Sequence, residues 1–231
     1  MVHLFRSSRE RLSNRDLHRF TGDSLLDSVA TVICGAECLA RKEFFESYEV
    51  AKRILRRHRG GPVVDLAGGH GLVGFFVALM DRGTDSICVV DKRIPKSAAR
   101  LREALSVKWP YVTEKWQFQE GKVQDAVITG ADRVLGIHAC GGLTDEVLRL
   151  AGEHRARVAV LPCCHSHATL DSGGLEGWMP MEVAIDSTRA LALRAANYRV
   201  FTTTISEDIT PMNRMLLGTP VEWVRPGKGG A

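Results

Sequence analysis

Residues 63–71 have the sequence VVDLAGGHG, in which two β-branched residues and an acid lead into a turn rich in glycine. Glycine lets the backbone turn sharply and approach a ligand closely, because it has no Cβ. The residues that follow, 72–82, are apolar enough and numerous enough for a buried helix. A strand, a glycine turn and a helix in this order are typical of doubly wound α/β domains, in which ligands bind at the carboxyl ends of the strands.

Beyond this unit, short apolar runs alternate with longer helical segments. The runs of strand type are 86–91, 116–119, 133–138, 157–162, 198–205 and 214–218, and the helical segments are 72–82, 97–107, 144–153 and 181–197. Helices of this length can cross between parallel strands, but the last two strands are joined by only about eight residues, too few for a crossover. We therefore expect an α/β fold with a doubly wound, mainly parallel seven-stranded sheet, whose last two strands form an antiparallel pair at one edge.

The region before the glycine turn has a different period. Apolar residues recur at intervals of three and four from residue 23 to residue 59, which predicts two amphipathic helices. Gly60, Gly61 and Pro62 end this region, since glycine terminates helices and proline cannot continue one. We expect an N-terminal helical extension or lid at 1–59, the α/β domain at 60–224 and a disordered tail at 225–231.

The composition excludes some classes of protein. Apolar residues make up 45% of the 231 residues and charged residues 25%, which is ordinary for a folded domain. No apolar run approaches the roughly 20 residues that span a bilayer, and the first residues lack the apolar stretch of a signal peptide, so we expect a cytoplasmic protein without a membrane partner. The six cysteines have no regular spacing and are expected to be reduced.

Two carboxylates are candidates for binding a nucleoside cofactor. Asp65 ends the first strand, before the glycines, and Asp91 ends the second strand, where it can accept hydrogen bonds from both ribose hydroxyls. The turn lacks the G-x-G-x-x-G pattern that admits a pyrophosphate, and an early carboxylate suits the cationic amino-acid portion of S-adenosylmethionine better. The alternatives left open are a purely structural turn and an NAD-dependent oxidoreductase.

These residues resemble motifs I and II of the class I S-adenosylmethionine-dependent methyltransferases, which have a Rossmann-like fold. The resemblance implies a cofactor site formed by two groups of residues: the loop residues Asp65, Ala67, Gly68, Gly69 and Gly71, with alanine where the first glycine usually stands, and the acid Asp91. In that family a backbone N–H just after the third strand contacts the adenine. The matching stretch is 120–125, where Lys122 occupies the aligned position and Val123 is the residue we assign to this contact.

Two further segments follow neighbouring strands and therefore meet in one crevice. They are HACGGLTD at 138–145 and PCCHSH at 162–167. Together they resemble the methyltransferase domain of the group that includes the eukaryotic tRNA 2′-O-methyltransferase of the acceptor stem, over roughly residues 41–218. The resemblance implies methyl transfer from S-adenosylmethionine, with RNA, possibly tRNA, as the acceptor. The zinc-finger segments of those enzymes have no counterpart in this chain.

Histidine can accept or donate a proton near neutral pH, which makes His138 and His165 the candidate catalytic residues. His138 is also expected to line the cofactor site, and the alternative for both is that they brace loops. A zinc site assembled from cysteines 140, 163 and 164 with the two histidines at 165 and 167 is weighed against packing. Because neighbouring strand residues face opposite ways, we expect Cys163 and Cys164 to diverge and expect no metal.

Basic residues are concentrated before residue 60, although the net charge is only +4. Arg53, Arg56 and Arg57, together with Arg214 near the last strand, are the candidate substrate-binding residues for an anionic acceptor such as RNA. A solvated helix face gives the same pattern. A small-molecule methyl acceptor and a non-catalytic cofactor-binding module are the remaining alternatives.

Overall fold

The computed structural model describes residues 5–166 and 169–223. Seven strands form one sheet in the order β3-β2-β1-β4-β5-β7-β6. The strands are β1 (Val63–Leu66), β2 (Ile87–Asp91), β3 (Trp116–Glu120), β4 (Arg133–Ile137), β5 (Arg157–Leu161), β6 (Tyr198–Thr204) and β7 (Arg214–Pro220). The helices are α1 (Leu25–Ala36), α2 (Arg41–Leu55), α3 (Leu72–Met80), α4 (Lys96–Ser106), α5 (Pro110–Thr113), α6 (Gly142–Glu153) and α7 (Met181–Ala195).

The strand directions follow the lengths of the connections. Strands β1 to β5 pair in parallel, whereas β7 is antiparallel to both β5 and β6. The predicted doubly wound, mainly parallel sheet and its antiparallel last pair are confirmed. Strands β2 and β3 are added on one side of β1, and β4 and β5 on the other. The carboxyl ends of β1 and β4 therefore border the crevice in which open α/β sheets bind ligands.

Two apolar clusters cover the two faces of the sheet. Val63 on β1 belongs to the cluster under α1 to α5, and the next residue, Val64, belongs to the cluster under α6 and α7. This alternation is the period of two that places successive strand residues on opposite faces. Every residue of β4 and β5 is buried, and all but the first residue of each strand, Arg133 and Arg157, are apolar, because both faces of the sheet are covered.

The two helices predicted before the glycine turn are α1 and α2, and they belong to the same core as the sheet. Ser24 caps α1 by accepting a hydrogen bond from the Asp27 amide at 3.1 Å. Helix α2 packs on α3, with the rings of Phe44 and Phe76 5.9 Å apart. The predicted boundary at residues 59/60 stays a prediction, and the predicted tail at 225–231 lies outside the described residues.

A buried, hydrogen-bonded arginine lies at the amino end of β4. Arg133, at the start of β4, is fully buried and donates to the Asp81 carboxylate at 3.0 Å and to the Gly61 carbonyl at 2.7 Å. A buried guanidinium is tolerated only when its donors are paired in this way. None of the helices in the described part of the chain has the length and apolarity to cross a membrane.

Candidate active site

The glycine turn after β1 adopts left-handed backbone conformations at three of its residues. Ala67, Gly69 and Gly71 have φ angles of 56°, 55° and 68°. For alanine this conformation costs roughly 1–2 kcal/mol, because Cβ approaches the following carbonyl oxygen. The amide of Ala67 donates to the Val90 carbonyl at 2.7 Å, which fixes the strained residue against β2. Alanine therefore occupies a position better suited to glycine, a kind of strain that is concentrated at functional sites.

The three glycines of the turn have different physical roles. A Cβ at Gly68 would lie 2.7 Å from the Asp65 carboxyl carbon, and one at Gly71 would lie 2.4 Å from a Val89 methyl. At Gly69 no atom of the described chain lies within 4 Å of an added Cβ. Gly68 and Gly71 therefore allow the turn to pack on the sheet, whereas Gly69 borders open space from which a ligand can approach.

Asp65 lies directly beneath this turn and is 1% exposed. Neither of its carboxylate oxygens has a hydrogen-bond partner among the described residues. Burial raises the pKa of Asp65 to about 7, the charge of Asp91 adds to the increase, and the nearby Gly74 amide opposes it. A buried carboxylate without partners costs free energy, and a bound cation would offset that cost.

Asp91, at the end of β2, is hydrogen-bonded to the backbone of the glycine turn. Its two carboxylate oxygens accept hydrogen bonds from the amides of Gly69 and Arg93 at 3.0 and 3.2 Å. A carboxylate has about four lone-pair sites, so each oxygen can still accept one more hydrogen bond. Asp91 is thus placed to fix the loop and to accept from hydroxyls of a ligand at the same time.

His138 comes directly after β4 and faces α2. Its backbone is left-handed, with φ of 62°, and its amide donates to the Leu161 carbonyl at 3.0 Å. The ring Nε2 lies 2.6 Å from Oε2 of Glu46, whose side chain is 5% exposed, but the two groups are not aligned for a hydrogen bond. Nε2 therefore still needs a hydrogen-bond partner.

A cavity of about 190 Å³ lies between α2, the glycine turn and the end of β4, and Asp91 and Gly71 are not among its lining residues. It is lined by the acids Glu43, Glu46 and Asp65, by His138, and by the residues Ser47, Ala67, Gly68, Gly69, Leu72, Val73 and Ile137. The charged side chains of this described lining are carboxylates, without a lysine or arginine. Such a cavity attracts a cation and repels a pyrophosphate. The residues present therefore fit the sulfonium and ammonium charges of S-adenosylmethionine.

The wall contributed by α2 is the part of the site that sequence reasoning did not assign. Oε1 of Glu43 lies within hydrogen-bond distance of Nδ1 of His70, at 2.8 Å. Nε2 of the same histidine lies 2.8 Å from the Ser97 hydroxyl. This chain of contacts ties α2 to the glycine turn and to α4. In the sequence, Glu43 and Glu46 stand out only as two acids three residues apart within a predicted amphipathic helix.

His165 lies in a different environment from His138. Its side chain is 1% exposed, and Nε2 lies 2.8 Å from Asp186 on α7. The other oxygen of Asp186 accepts from Arg214 at 2.9 Å, and Arg189 lies 3.3 Å from the same carboxylate. The structure does not bring His165 into the cavity that His138 lines. Its catalytic role stays a prediction, and the contacts favour the alternative in which it braces the loop after β5.

The four candidate substrate-binding arginines lie around the ends of α2 and β6. Arg53 donates to the Thr204 carbonyl at 3.0 Å and pairs with Glu49 at 3.3 Å. The Arg57 guanidinium lies 4.4 Å from the ring centroid of Phe201, and both Arg56 and Arg57 are exposed. Arg214 is held by Asp186, as described above. Arg53 and Arg57 thus contact β6 from the α2 side of the sheet, whereas Arg214 lies against α7 on the other side, so the structure does not bring the four arginines into one region.

Arg214 also lines a groove of about 490 Å³ on the α7 side of the sheet. Its walls are α7 and the ends of β6 and β7, and its lining is mainly apolar, with Asp186 and residues 202–204 as polar groups.

Val123, assigned to the adenine, begins a short 3-10 helix after β3 and is 7% exposed. It does not line the acidic cavity, and its contact stays a prediction.

The expectation that Cys163 and Cys164 diverge is wrong. Their sulfur atoms are 3.6 Å apart, and Sγ of Cys140 lies 2.9 Å from Sγ of Cys163. The residues follow β5 in a loop, where the alternation of a strand no longer applies. All six cysteines are free, and burial together with the neighbouring thiols raises the pKa of Cys163. His167, the other histidine of that segment, lies outside the described residues.

Comparison with known proteins gives the site a context. A family profile described as a methyltransferase domain matches residues 42–169, more than half of the chain. No curated protein matches the chain significantly.

Among solved structures, an O-methyltransferase family protein from Burkholderia thailandensis is 18% identical, with a TM-score of 0.51 over 89% of this chain and 62% of its own. TnmH is 20% identical, with a TM-score of 0.50 over 84% of this chain and 58% of its own. At these identities the likeness establishes the fold. The chain spans about three fifths of the length of either protein.

Proposed function

Because the chain belongs to the methyltransferase-domain family, whose methyl donor is S-adenosylmethionine, we propose that it transfers a methyl group to a hydroxyl or amine of RNA. The observation that carries the proposal is the acidic cavity between α2 and the glycine turn, where Asp65 is buried with both carboxylate oxygens unpartnered. An electronegative cavity beside a glycine turn suits a cationic nucleoside and disfavours a dinucleotide. S-Adenosylmethionine, when bound, supplies an electrophilic methyl group.

The residues of the chain then have the following roles. Asp65 pairs with the cationic amino-acid portion, Gly69 leaves the space for it, and Asp91 accepts from the ribose hydroxyls. Ala67, Gly68 and Gly71 shape the turn, and the backbone at Val123 contacts the adenine. Most of the rate enhancement in methyl transfer comes from holding the acceptor in line with the methyl group, so positioning is the main task of these residues.

His138 is the candidate catalytic residue. It stands at the wall of the cavity with Nε2 unpartnered, 2.6 Å from a carboxylate oxygen of Glu46. That imidazole can orient the hydroxyl or amine of an acceptor and take up its proton. Glu46 is a positioning residue in this scheme, because its carboxylate lies 2.6 Å from Nε2 and would stabilise the imidazolium that forms when the ring takes up the proton.

The acceptor is RNA, and a tRNA-like 2′-hydroxyl is the finer assignment that the resemblance of residues 138–145 and 162–167 supports. Arg56 and Arg57 are exposed at the end of α2, beside the Arg53 contact with β6. Exposed cations clustered on one surface neutralise phosphates and release counterions, which is the main source of affinity for nucleic acids.

The test combines a labelled methyl donor with two acceptor pools. Incubation with total RNA is expected to label RNA, and a protein-free metabolite extract is expected to stay unlabelled. His138→Ala should lower turnover by about 10-fold to 10,000-fold with little change in cofactor affinity. The matched control is His154→Gln, at an exposed histidine directly after α6, which should retain full turnover.

Full turnover in a folded His138→Ala protein would remove the catalytic assignment. Binding of the cofactor without labelling of any RNA or metabolite would instead favour a binding module.

A small-molecule acceptor is the second candidate, and the groove between α7 and β6 is the observation that favours it. The groove has a mainly apolar lining with a few polar groups, the usual composition of a small-molecule site. Labelling of the metabolite extract and not of RNA, lost on replacing groove residues such as Ala190→Trp, would favour this candidate over RNA.

A further inference from the structure

Three thiols converge at the carboxyl ends of β4 and β5. Cys140 follows β4, Cys163 and Cys164 follow β5, and their sulfur atoms all lie within 4.8 Å of one another. Two of the three separations are 2.9 Å (Cys140 to Cys163) and 3.6 Å (Cys163 to Cys164). Residues 23 positions apart in the sequence thus form a single cluster of soft ligands.

Backbone hydrogen bonds fix the two loops that carry these thiols. The Gly141 amide donates to the Cys164 carbonyl at 3.1 Å, and the His138 amide donates to the Leu161 carbonyl at 3.0 Å. Gly141 has a φ of 59°, which turns the chain from the Cys140 side into α6. The convergence of the sulfurs therefore results from the register of the two strands and from paired loops.

The geometry points to a metal site in which Cys140, Cys163 and Cys164 bind one thiophilic divalent cation, with zinc as the ion that fits. In a tetrahedral zinc site with Zn–S of about 2.3 Å, ligand sulfurs lie about 3.8 Å apart. The separation between Cys163 and Cys164 is close to this value. Cys140 would have to withdraw by about 1 Å, and it is exposed and has room to do so.

The site leaves one coordination position for solvent. Cys140 and Cys164 are exposed, so the outer side of the cluster is open to water. Three cysteine ligands with water as the fourth ligand of Zn²⁺ occur in zinc deaminases. Metal binding would release the thiol protons to solvent, because the thiolate and not the thiol binds the ion.

Two other accounts of the cluster explain less of the geometry. Packing alone does not account for the cluster, because Cys140 and Cys164 are exposed and so gain little from the hydrophobic burial that a packing role would require. A disulfide between Cys140 and Cys163 would need their sulfurs at about 2.05 Å and would leave Cys164 unexplained. A bound ion uses all three thiols, and it would clamp the loop that carries His138 to the end of β5.

The experiment measures metal binding directly, without an activity assay. The full chain, reduced and freed of metal, is titrated with Zn²⁺ against a chromophoric chelator, and with Co²⁺ to observe thiolate-to-cobalt charge-transfer absorption. We expect one Zn²⁺ per chain and a cobalt spectrum that shows thiolate ligation. Cys140→Ser and Cys164→Ser should each weaken Zn²⁺ binding by at least about 100-fold, since even the partners of ligands contribute 10–100-fold.

Cys88→Ser is the matched control, because Cys88 is a half-buried thiol on β2 outside the cluster. It should bind Zn²⁺ as tightly as the unmodified protein. The proposal is overturned if the reduced, unmodified protein binds less than one Zn²⁺ or shows no thiolate-to-cobalt absorption. The cobalt spectrum needs no variant, so misfolding of a serine substitution cannot hide a negative result. Equal Zn²⁺ affinity in folded Cys140→Ser, or a Cys140–Cys163 disulfide in protein that binds no Zn²⁺, would also overturn it.

Discussion

Replacing Asp65 by asparagine tests the central assignment of the site through stability. Burial raises the pKa of this carboxyl from 3.8 to about 7, so the folded protein binds more protons than the unfolded chain between roughly pH 4 and pH 7. The contribution of Asp65 to stability therefore falls as the pH rises through this window and is constant above it. A shift of three pK units corresponds to about 4 kcal/mol in total.

The measurable part of this effect lies between pH 5 and pH 8. Over that interval the linkage relation gives a loss of about 2–3 kcal/mol for a group with pKa values of roughly 4 unfolded and 7 folded. Asp65→Asn has no proton to lose at this position, so its stability relative to the unmodified protein should rise by the same amount. The other acidic and basic side chains around Asp65, namely Asp91, Glu46 and His138, are present in both proteins, so their contributions cancel to first order.

The assay is urea unfolding followed by tryptophan fluorescence at pH 5, 6, 7 and 8. Asp23→Asn, at an exposed position before α1, is the control and should follow the unmodified protein at every pH. If Asp65→Asn and the unmodified protein lose equal stability between pH 5 and pH 8, the carboxyl is not buried as described and the reasoning fails.

The same carboxyl predicts a proton linkage in cofactor binding. A cation beside Asp65 lowers its pKa, so the carboxyl should release about one proton when S-adenosylhomocysteine binds at pH 6. Affinity should then rise with pH up to about pH 7. Calorimetry in buffers of different ionisation enthalpy measures this proton, and Asp65→Asn should release none. Equal proton release in both proteins would mean that the ligand's cation does not pair with Asp65.

Three further predictions concern the turn and the arginines at the end of α2. Gly69→Ala should cost about 1–2 kcal/mol of stability for its left-handed backbone and weaken cofactor binding, whereas Gly71→Ala should destabilise the fold more, because its Cβ meets Val89 at 2.4 Å. Thermal unfolding and cofactor titration distinguish the two, and equal stability would contradict the roles assigned. Asp91→Asn should weaken S-adenosylmethionine binding by about 1–3 kcal/mol, and calorimetry that finds unchanged affinity would remove the ribose contact. Arg56→Glu with Arg57→Glu should weaken RNA binding by more than about tenfold and flatten its salt dependence, and indifference to the reversals would favour a small-molecule acceptor.

Much of the fold could be predicted because local patterns and global topology agree. The strand starts at residues 116, 133, 157, 198 and 214 are those expected from the apolar runs, and the short loop before the last strand correctly indicated antiparallel pairing. The same holds for the glycine turn, since its strand and helix are neighbours in sequence. These features depend on backbone sterics and hydrophobic period, which act within a few residues.

The histidine and cysteine segments show where sequence reasoning reached its limit. His138 and His165 both follow neighbouring strands, yet one lines the acidic cavity and the other is enclosed by Asp186 on α7. His138 is the first residue after β4 and His165 is the fourth after β5, and the packing of α2 and α7 gives them different surroundings. Cys163 and Cys164 were expected to diverge because a strand was assumed to continue, but the strand ends at Leu161 and the loop turns both thiols toward Cys140.

The sequence by itself determined three features: the mainly parallel sheet with its antiparallel last pair, the glycine turn, and the two acids at the ends of β1 and β2. Each of them depends on residues close together in the chain. Only the tertiary structure decided that Glu43 and Glu46 form the wall of the acidic cavity, that Gly69 alone among the three glycines borders open space, and that three cysteines converge. Those arrangements depend on the packing of α2 on α3 and on the register between β4 and β5. Long-range packing of this kind is selected by the whole core, so no local pattern encodes it.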